Sequence, residues 1–138
     1  IKDELENFQG PLAGLFSSMK WILENKKNIE WIFTSPCDTP FLSKSLVDKF
    51  LSTNYNNKTN IVIAKSFNKT HPVIGFWHIS LIKSLEEFLA KDNRKIMHWV
   101  AQQNYELLNF KDKNYFFNIN TQTDLLEAIK IEKSIKKL

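Results

Sequence analysis

The sequence predicts an α/β fold with a mixed, mostly parallel sheet. Trp31-Ile32-Phe33 is a short, continuous apolar run, which is typical of a strand covered on both faces in a parallel sheet. Apolar residues at helical spacing precede this run and follow it, so helices and strands alternate along the chain. We therefore expect one α/β domain over the 138 residues.

Composition supports a globular domain. Apolar residues make up 43% of the chain, and eleven Phe and four Trp supply large side chains for a core. The sequence has no uncharged apolar run of about 18 residues, and it does not open with a charged and then apolar leader. We therefore expect neither a membrane span nor a signal peptide, and a cytoplasmic location.

The net charge of +4 is concentrated at the end of the chain. Four lysines against Glu132 contribute +3 there, which leaves +1 for the rest; they are Lys130, Lys133, Lys136 and Lys137. Cations in the last turn of a helix suit its dipole. The aromatic residues lie among apolar residues and do not alternate with basic ones, so the pattern does not favour nucleic-acid binding.

The first predicted helix begins at Gly10-Pro11-Leu12-Ala13-Gly14. Its apolar residues recur at helical spacing: Leu12, Leu15, Phe16, Met19 and Leu23. Pro11 suits a first helical turn, and Gly10 lets the backbone turn sharply before it. The free amide groups of this helix start could approach a polar ligand. The alternative is an ordinary Gly-Pro helix start with no ligand.

Asp38 lies just beyond the predicted strand, in Pro36-Cys37-Asp38-Thr39-Pro40. In open α/β sheets ligands bind at the carboxyl ends of the strands, so this acid is placed to hold a metal or a phosphate-bearing substrate. The alternative is a turn acid that bonds its own backbone. We expect Cys37, the single cysteine, to be a small buried residue, because no His partner nearby indicates a nucleophile.

The middle of the chain alternates further. We expect strands at residues 61–64 and 73–78, and the turn at 67–70 between them allows a hairpin in place of a crossover. Ser43 and Ser80 are expected to cap helices. The first of these helices has the apolar residues Leu46, Val47, Phe50 and Leu51, and the second has Leu81, Leu85, Phe88 and Leu89. A short third helix is predicted after them from Ile96, Val100 and Ala101.

The last part of the chain predicts strands at 105–110 and 115–117 and then a helix. Thr121 and Asp124 resemble a capping box at its start. Its apolar stripe is Leu125, Ile129, Ile135 and Leu138. Asn118 and Asn120 lie two apart on an extended segment, so both amides can face one site while Ile119 faces the core. They could equally be turn residues that bond their own backbone.

Four motifs together resemble the molybdenum cofactor guanylyltransferase (MobA) family. They are Gly10-Pro11-Leu12-Ala13-Gly14, Pro36-Cys37-Asp38-Thr39-Pro40, His71-Pro72 and Asn118-Ile119-Asn120-Thr121. Each motif alone is weak, since short Gly, Asp and Asn turns recur widely, but their order and separations over residues 8–126 also match the family. The resemblance covers the C-terminal two thirds of such a protein.

The resemblance implies a Rossmann-like three-layer sandwich of the nucleotide-diphospho-sugar transferase type. It implies transfer of GMP from GTP to molybdopterin with release of pyrophosphate, and molybdoenzymes or other cofactor-biosynthesis proteins as partners. Asp38 would bind Mg²⁺, and the turn from Gly10 to Gly14 would contact the guanosine. Asn118 and Asn120 would lie near the metal and the pterin phosphate, and His71-Pro72 on the pterin side.

One large part of the family pattern has no counterpart here. Family members begin with a strand and a glycine-rich loop that ends in lysine, whereas this sequence has three glycines and neither G-x-G-x-x-G nor a Walker loop. We therefore expect an incomplete, inactive domain at 1–138 with a free sheet edge that invites pairing with a second copy. Two alternatives remain. One is a related nucleotidyltransferase that uses CTP or a sugar phosphate, and the other is a partner-binding domain that docks through residues 130–137.

Overall fold

A computed structural model describes residues 10–26, 28–41, 44–93, 95–111 and 113–136. These residues form a four-stranded sheet with helices packed against both faces, which confirms the predicted α/β class. Within these ranges, none of the helices has the length and apolar character needed to cross a membrane.

The sheet has the strand order β1-β3-β2-β4. The strands are β1 at Trp31–Thr34, β2 at Ile61–Ser66, β3 at Lys69–His78 and β4 at Tyr105–Phe110. β2 and β4 pair in parallel, whereas β3 pairs antiparallel with both β1 and β2. β1, β2 and β4 therefore run in one direction and end at one edge of the sheet, where β3 begins. We call this edge the carboxyl edge.

The connection between β2 and β3 is a tight hairpin, as the turn at 67–70 allowed. Phe67 and Asn68 form the turn, and Phe67 adopts a positive φ of 51°. The strand pairing then shifts, because Ile63 lies opposite Gly75 while the next residue, Ala64, lies opposite His71. The extra residues of β3 form a bulge that contains Pro72, which has no N–H to give to the ladder.

Five α-helices accompany the sheet in the described ranges. They are α1 at Pro11–Asn25, α2 at Lys44–Ser52, α3 at Ile82–Ala90, α4 at Ile96–Val100 and α5 at Gln122–Lys136. One core joins α1, α3 and α4 to Ile61, Ile63 and Trp77 on one face of the sheet. A second core joins α2 to Val62 and Ile74 on the opposite face. Two helical layers thus enclose the sheet, because alternate residues of β2 point into different cores.

The predicted helix stripes are correct near the sheet and wrong away from it. In α1 the first four predicted apolar residues are buried, but Leu23 is 44% exposed because no other described element covers the last turn. In α2 Leu46 and Phe50 are buried, whereas Leu51 is 69% exposed. Leu51 follows Phe50 by one residue, so it points about 100° away from the buried face. The predicted cap at Ser43 lies outside the described residues.

The prediction of β1 as a strand enclosed in a parallel sheet is wrong. β1 pairs antiparallel with β3, and no other described strand pairs with it, so it lies at an edge. All four of its residues are half-buried, although Ile32 packs against one core and Phe33 against the other. The apolar run therefore indicated two covered faces correctly, but burial pattern alone does not specify the direction or number of neighbouring strands.

Two local predictions are also wrong. Residues 115–117 are not a strand, because Lys113–Phe116 forms a 3₁₀ turn that buries Phe116 against Phe110, with ring centroids 5.6 Å apart. This tertiary contact outweighs the strand preference of three aromatic residues. Ser80 does not cap a helix with its side chain; its backbone N–H donates to His78 Nδ1 at the start of the 3₁₀ turn Ile79–Leu81.

The apolar stripe predicted for α5 is largely exposed. Leu125, Ile129 and Ile135 are 48%, 40% and 48% exposed, and Ala128 is the buried residue of this helix. The fourth residue of the stripe, Leu138, lies outside the described part of the chain. The periodicity predicted the helix correctly, but its apolar side is not covered by the described elements.

Candidate active site at the carboxyl edge

The loop that follows β1 is held in shape by its own side chain and by a distant segment. The hydroxyl of Thr39, which is 5% exposed, donates to the carbonyl oxygen of Pro36 at 3.0 Å. The backbone N–H of Ile119 donates to the carbonyl oxygen of Asp38 at 2.9 Å. The second bond ties the Asp38 loop to the segment between β4 and α5, so two predicted motifs that lie 80 residues apart meet at the carboxyl edge.

Asp38 carries an unsatisfied oxygen. Its Oδ1 atom is buried and has no hydrogen-bond partner among the described residues. An unpaired buried polar atom is costly, more so on a carboxylate, and such atoms are uncommon in folded proteins. An Asx-turn formed through Oδ1 would give this oxygen a backbone donor, and none is present among the described residues. A cation is the kind of group that would satisfy this oxygen.

No cluster of three or more His, Cys, Asp or Glu side chains suited to a metal occurs within the described ranges. Any ion at Asp38 would therefore draw most of its ligands from backbone or amide oxygens, water or substrate. Mg²⁺ accepts such a site, because it keeps several waters and binds through one or two carboxylates plus substrate phosphates.

A cavity of about 630 Å³ at the carboxyl edge collects three of the predicted site residues. His71, Asn118 and Asn120 all line it, although they come from β3 and from the segment before α5. The remaining lining residues are Ser66, Lys69, Asn114, Phe116, Phe117, Glu127 and Ile131. The lining thus combines amides, a histidine and charges of both signs, which suits a polar or anionic ligand. Pro72 is half-buried in the adjacent bulge and does not line the cavity.

The asparagine amides are not used to hold their own turn. The capping box predicted at Thr121 and Asp124 is confirmed. Asp124 Oδ2 accepts hydrogen bonds from the backbone N–H groups of Asn120 at 3.0 Å and Thr121 at 2.9 Å. In return, the backbone N–H of Asp124 donates to Thr121 Oγ1 at 3.1 Å. These donors lower the pKa of Asp124, since they favour its charged form. Among the described residues, no hydrogen bond to the side chains of Asn118 or Asn120 is present.

Ile119 points away from the two asparagines. It is half-buried and lines a separate cavity of about 360 Å³ together with Phe41, Leu125 and Ile129. The segment therefore alternates as an extended chain does, with amides on one side and the apolar residue on the other. This is the arrangement predicted from the spacing, although Ile119 contacts a partly open apolar groove and not a closed core.

His71 is the best-defined side chain of the site. Its Nε2 atom lies 2.7 Å from Ser66 Oγ, and its ring stacks on Phe116 with centroids 4.1 Å apart and planes 13° from parallel. Burial lowers the pKa of His71, and the nearby Lys69 lowers it further. The imidazole is therefore neutral at neutral pH.

A further cavity of about 360 Å³ lies between the start of α1 and the end of β1. Pro11 and Gly14 line it from α1, and Ser35 and Pro36 line it from the loop that leads to Asp38. Gly10 precedes α1 with φ 118°, the positive value that its predicted turn requires. The two remaining motif residues, Leu12 and Ala13, are 3% and 1% exposed and pack inward, so only their backbone could contact a ligand.

Sequence reasoning missed part of the site and misplaced one residue. Ser66 and Lys69 flank the hairpin turn, and only the strand pairing shows that they lie beside His71. Glu127 enters the cavity from α5, one turn beyond the capping box. Cys37 is exposed, not buried as expected, because its side chain leaves a turn at the surface.

The comparison with known sequences points in one direction. A family model described as the MobA-like NTP transferase domain matches residues 1–106. A molybdenum cofactor guanylyltransferase of Nitrobacter hamburgensis is 34% identical over 131 residues, which is 93% of this chain and 63% of that protein. One of Shewanella putrefaciens is 35% identical over 122 residues, which is 88% of this chain and 60% of that protein. The chain thus spans less than two thirds of these relatives.

Solved structures share the fold. A molybdopterin-guanine dinucleotide biosynthesis protein A from Archaeoglobus fulgidus superposes on this chain with a TM-score of 0.74 at 20% identity. The superposition covers 97% of this chain and 68% of the Archaeoglobus chain. A protein from Aquifex aeolicus superposes with a TM-score of 0.71 at 23% identity, over 87% of this chain and 60% of its own. In both cases the match covers part of a longer chain.

Proposed function

Because the chain belongs to the family of MobA-like NTP transferase domains, we propose that it is part of an enzyme that transfers GMP from GTP to molybdopterin. The products are molybdopterin guanine dinucleotide and pyrophosphate. The chain spans 63%, 61% and 64% of three relatives that carry the guanylyltransferase name, so the proposal concerns the complete protein. It also locates this protein in the cytoplasm, where its nucleotide substrate is found.

One observation carries the proposal: the buried, unpartnered Oδ1 of Asp38 at the carboxyl edge. A buried carboxylate oxygen without a donor costs free energy, which a bound cation would offset. The loop is also bonded to the segment that bears Asn118 and Asn120, so the acid and the two free amides belong to one local structure. That combination supports a site for a phosphate-bearing substrate with a cation.

The residues present fit Mg²⁺ as the cofactor. Asp38 would hold the ion, with the amide oxygens of Asn118 and Asn120 on the adjoining segment as weaker oxygen donors. When bound, Mg²⁺ would offset negative charge on the phosphates of GTP and on the departing pyrophosphate.

We assign the two carboxyl-edge cavities to the two substrates. The cavity lined by Pro11, Gly14 and Pro36 would take the guanosine part of GTP, since it is the more apolar and is bordered by the start of α1. The cavity lined by Lys69 and His71 would take the pterin phosphate, since a lysine and polar amides suit an anionic group. The Asp38 loop adjoins both, through Pro36 and through its bond to Ile119.

In this reaction the protein forms no covalent bond with either substrate. An oxygen of the molybdopterin phosphate forms a bond to the α-phosphorus of GTP, and the bond from that phosphorus to the oxygen bridging to the β-phosphate breaks. The electron pair leaves with pyrophosphate. The side chains would orient the two phosphates and offset their charge. No protein nucleophile is needed, and the exposed Cys37 has no role in this scheme.

The proposal is tested with the complete protein, Mg²⁺, either GTP or CTP, and either molybdopterin or a sugar phosphate as the acceptor, by measuring product formation and pyrophosphate release. We expect dinucleotide only with GTP. Turnover with CTP or with a sugar phosphate acceptor would reassign the protein to a related nucleotidyltransferase. Absence of turnover with every pair would favour a partner-binding domain that docks through the basic end of α5.

A further inference from the structure

Ser66 is a buried polar residue at the last position of β2. It is 5% exposed, and its Oγ lies 2.7 Å from His71 Nε2. The hairpin makes this contact, because Ser66 pairs with Lys69 across the turn while Ala64 lies opposite His71. A buried hydroxyl that bonds one ring nitrogen restricts rotation of the imidazole about its side-chain bonds.

Phe116 restrains the same ring in a second way. The two rings are nearly parallel at 13°, with centroids 4.1 Å apart, and Phe116 is itself 8% exposed. Its far side packs edge-on against Phe110, at a centroid distance of 5.6 Å. Phe116 therefore fixes the plane of the imidazole, while Ser66 distinguishes its two nitrogen atoms.

The remaining nitrogen is then the one available to a ligand. Within the described residues Nδ1 of His71 has no hydrogen-bond partner, and His71 lines the cavity that also contains Asn118 and Asn120. A serine hydroxyl can either donate to Nε2 or accept from it, so this bond holds the ring in place in either tautomer and leaves Nδ1 facing the cavity side of the site. The ionisable groups lining this cavity in the described chain are Lys69 and Glu127, besides His71.

We propose that Ser66 is a positioning residue of the active site, whose hydroxyl, together with the ring of Phe116, holds His71 in one orientation and so presents Nδ1 to the acceptor substrate. This rests on the proposed function and specifies how the acceptor side of that site is arranged. His71 touches the substrate, whereas Ser66 acts only through His71. Ser66 is thus expected to matter for acceptor binding and not for GTP binding.

The test uses the complete protein with Ser66→Ala, Ser66→Thr, His71→Ala and the double variant S66A/H71A. Threonine keeps the hydroxyl and is the matched control. Nuclear Overhauser effects from the two carbon-bound ring protons of His71 to Phe116 report the orientation of the imidazole, and steady-state kinetics report KM for molybdopterin and for GTP. Thermal melts of each variant identify those that fail to fold.

We expect one fixed pattern of ring-proton Overhauser effects for His71 in the wild type and in Ser66→Thr, and an averaged pattern from a rotating ring in Ser66→Ala. KM for molybdopterin should rise about fivefold in Ser66→Ala, as loss of one hydrogen bond predicts, with KM for GTP unchanged. Adding Ser66→Ala to His71→Ala should not change KM for molybdopterin further, because Ser66 acts only through His71.

Two results would overturn the proposal: an unchanged orientation of the His71 ring in a folded Ser66→Ala variant, or additive effects of the two substitutions on KM for molybdopterin. If the wild type transferred no GMP, the proposed function would fail by itself. The NMR comparison would still decide whether Ser66 fixes the ring.

Discussion

The segment Asn118-Ile119-Asn120 allows stability and activity to be separated at adjacent residues. The asparagine side chains line the larger carboxyl-edge cavity and make no hydrogen bond within the described chain, whereas Ile119 packs beside Phe41 and Leu125. Truncating either amide to alanine should therefore change the free energy of unfolding by no more than about 0.5 kcal/mol. A fully buried Ile→Ala change costs about 2–5 kcal/mol, so half-buried Ile119 should lose about 1–2 kcal/mol.

The same three substitutions should rank in the opposite order for activity. A hydrogen bond to a charged phosphate contributes about 1.5–3 kcal/mol, so Asn118→Ala or Asn120→Ala should lower kcat/KM about tenfold to a hundredfold. Ile119→Ala should keep nearly the full rate at temperatures where it is folded. Urea denaturation and GMP transfer by the complete protein measure the two quantities. Asparagine variants that are destabilised but kinetically normal would refute the assignment of these amides to the site.

Three further outcomes are expected. Gly75→Ala should lose about 1–3 kcal/mol of stability in urea denaturation, because its Cβ would lie 2.6 Å from the carbonyl oxygen of Val62, whereas Gly14→Ala, with open space around it, should not. The pKa of His71 in the folded protein lies below its usual value of 6.5, so the unfolded chain binds the proton more readily as the pH falls below 6.5. The melting temperature should therefore decrease as the pH is lowered through this range, and His71→Gln should remove the contribution of His71 to that decrease. The 138-residue chain alone should transfer no GMP in the assay used for the complete protein, since it has no glycine-rich phosphate loop.

The features that the sequence predicted correctly depend on residues that lie close together along the chain. The capping box at Thr121 and Asp124 and the turn at Gly10 appear in the structure, because each depends on residues within a few positions of one another. Strand β4 also has the predicted bounds. The alternation at Asn118 and Asn120 follows from the period of two of an extended chain.

The errors share a different origin, because they depend on contacts between distant parts of the chain. The apolar run of β1 indicates covered faces, yet its place at an edge depends on which strands are available to pair with it. Phe116 lies in a 3₁₀ turn because it packs between His71 and Phe110, which the chain order does not indicate. Ser66 joins the site through the pairing register of the hairpin, and no local motif marks it.

The resemblance to a family contributed what neither kind of pattern could. It singled out His71 and gave Asp38 a specific role as a Mg²⁺ ligand, and the structure brings the Asp38 loop and the Asn118-Ile119-Asn120 segment into contact at one edge.

The most direct measurement is the rate of GMP transfer by the complete protein carrying Asp38→Asn. Asp48→Asn is the matched control, since Asp48 is an exposed residue of α2 that lines none of the three cavities described above. The proposed site predicts that Asp38→Asn lowers kcat/KM at least about a hundredfold, as loss of a key electrostatic group does, with a melting temperature that is not reduced. Asp48→Asn should keep the wild-type rate. A folded Asp38→Asn enzyme that transfers GMP as fast as the control would contradict the account.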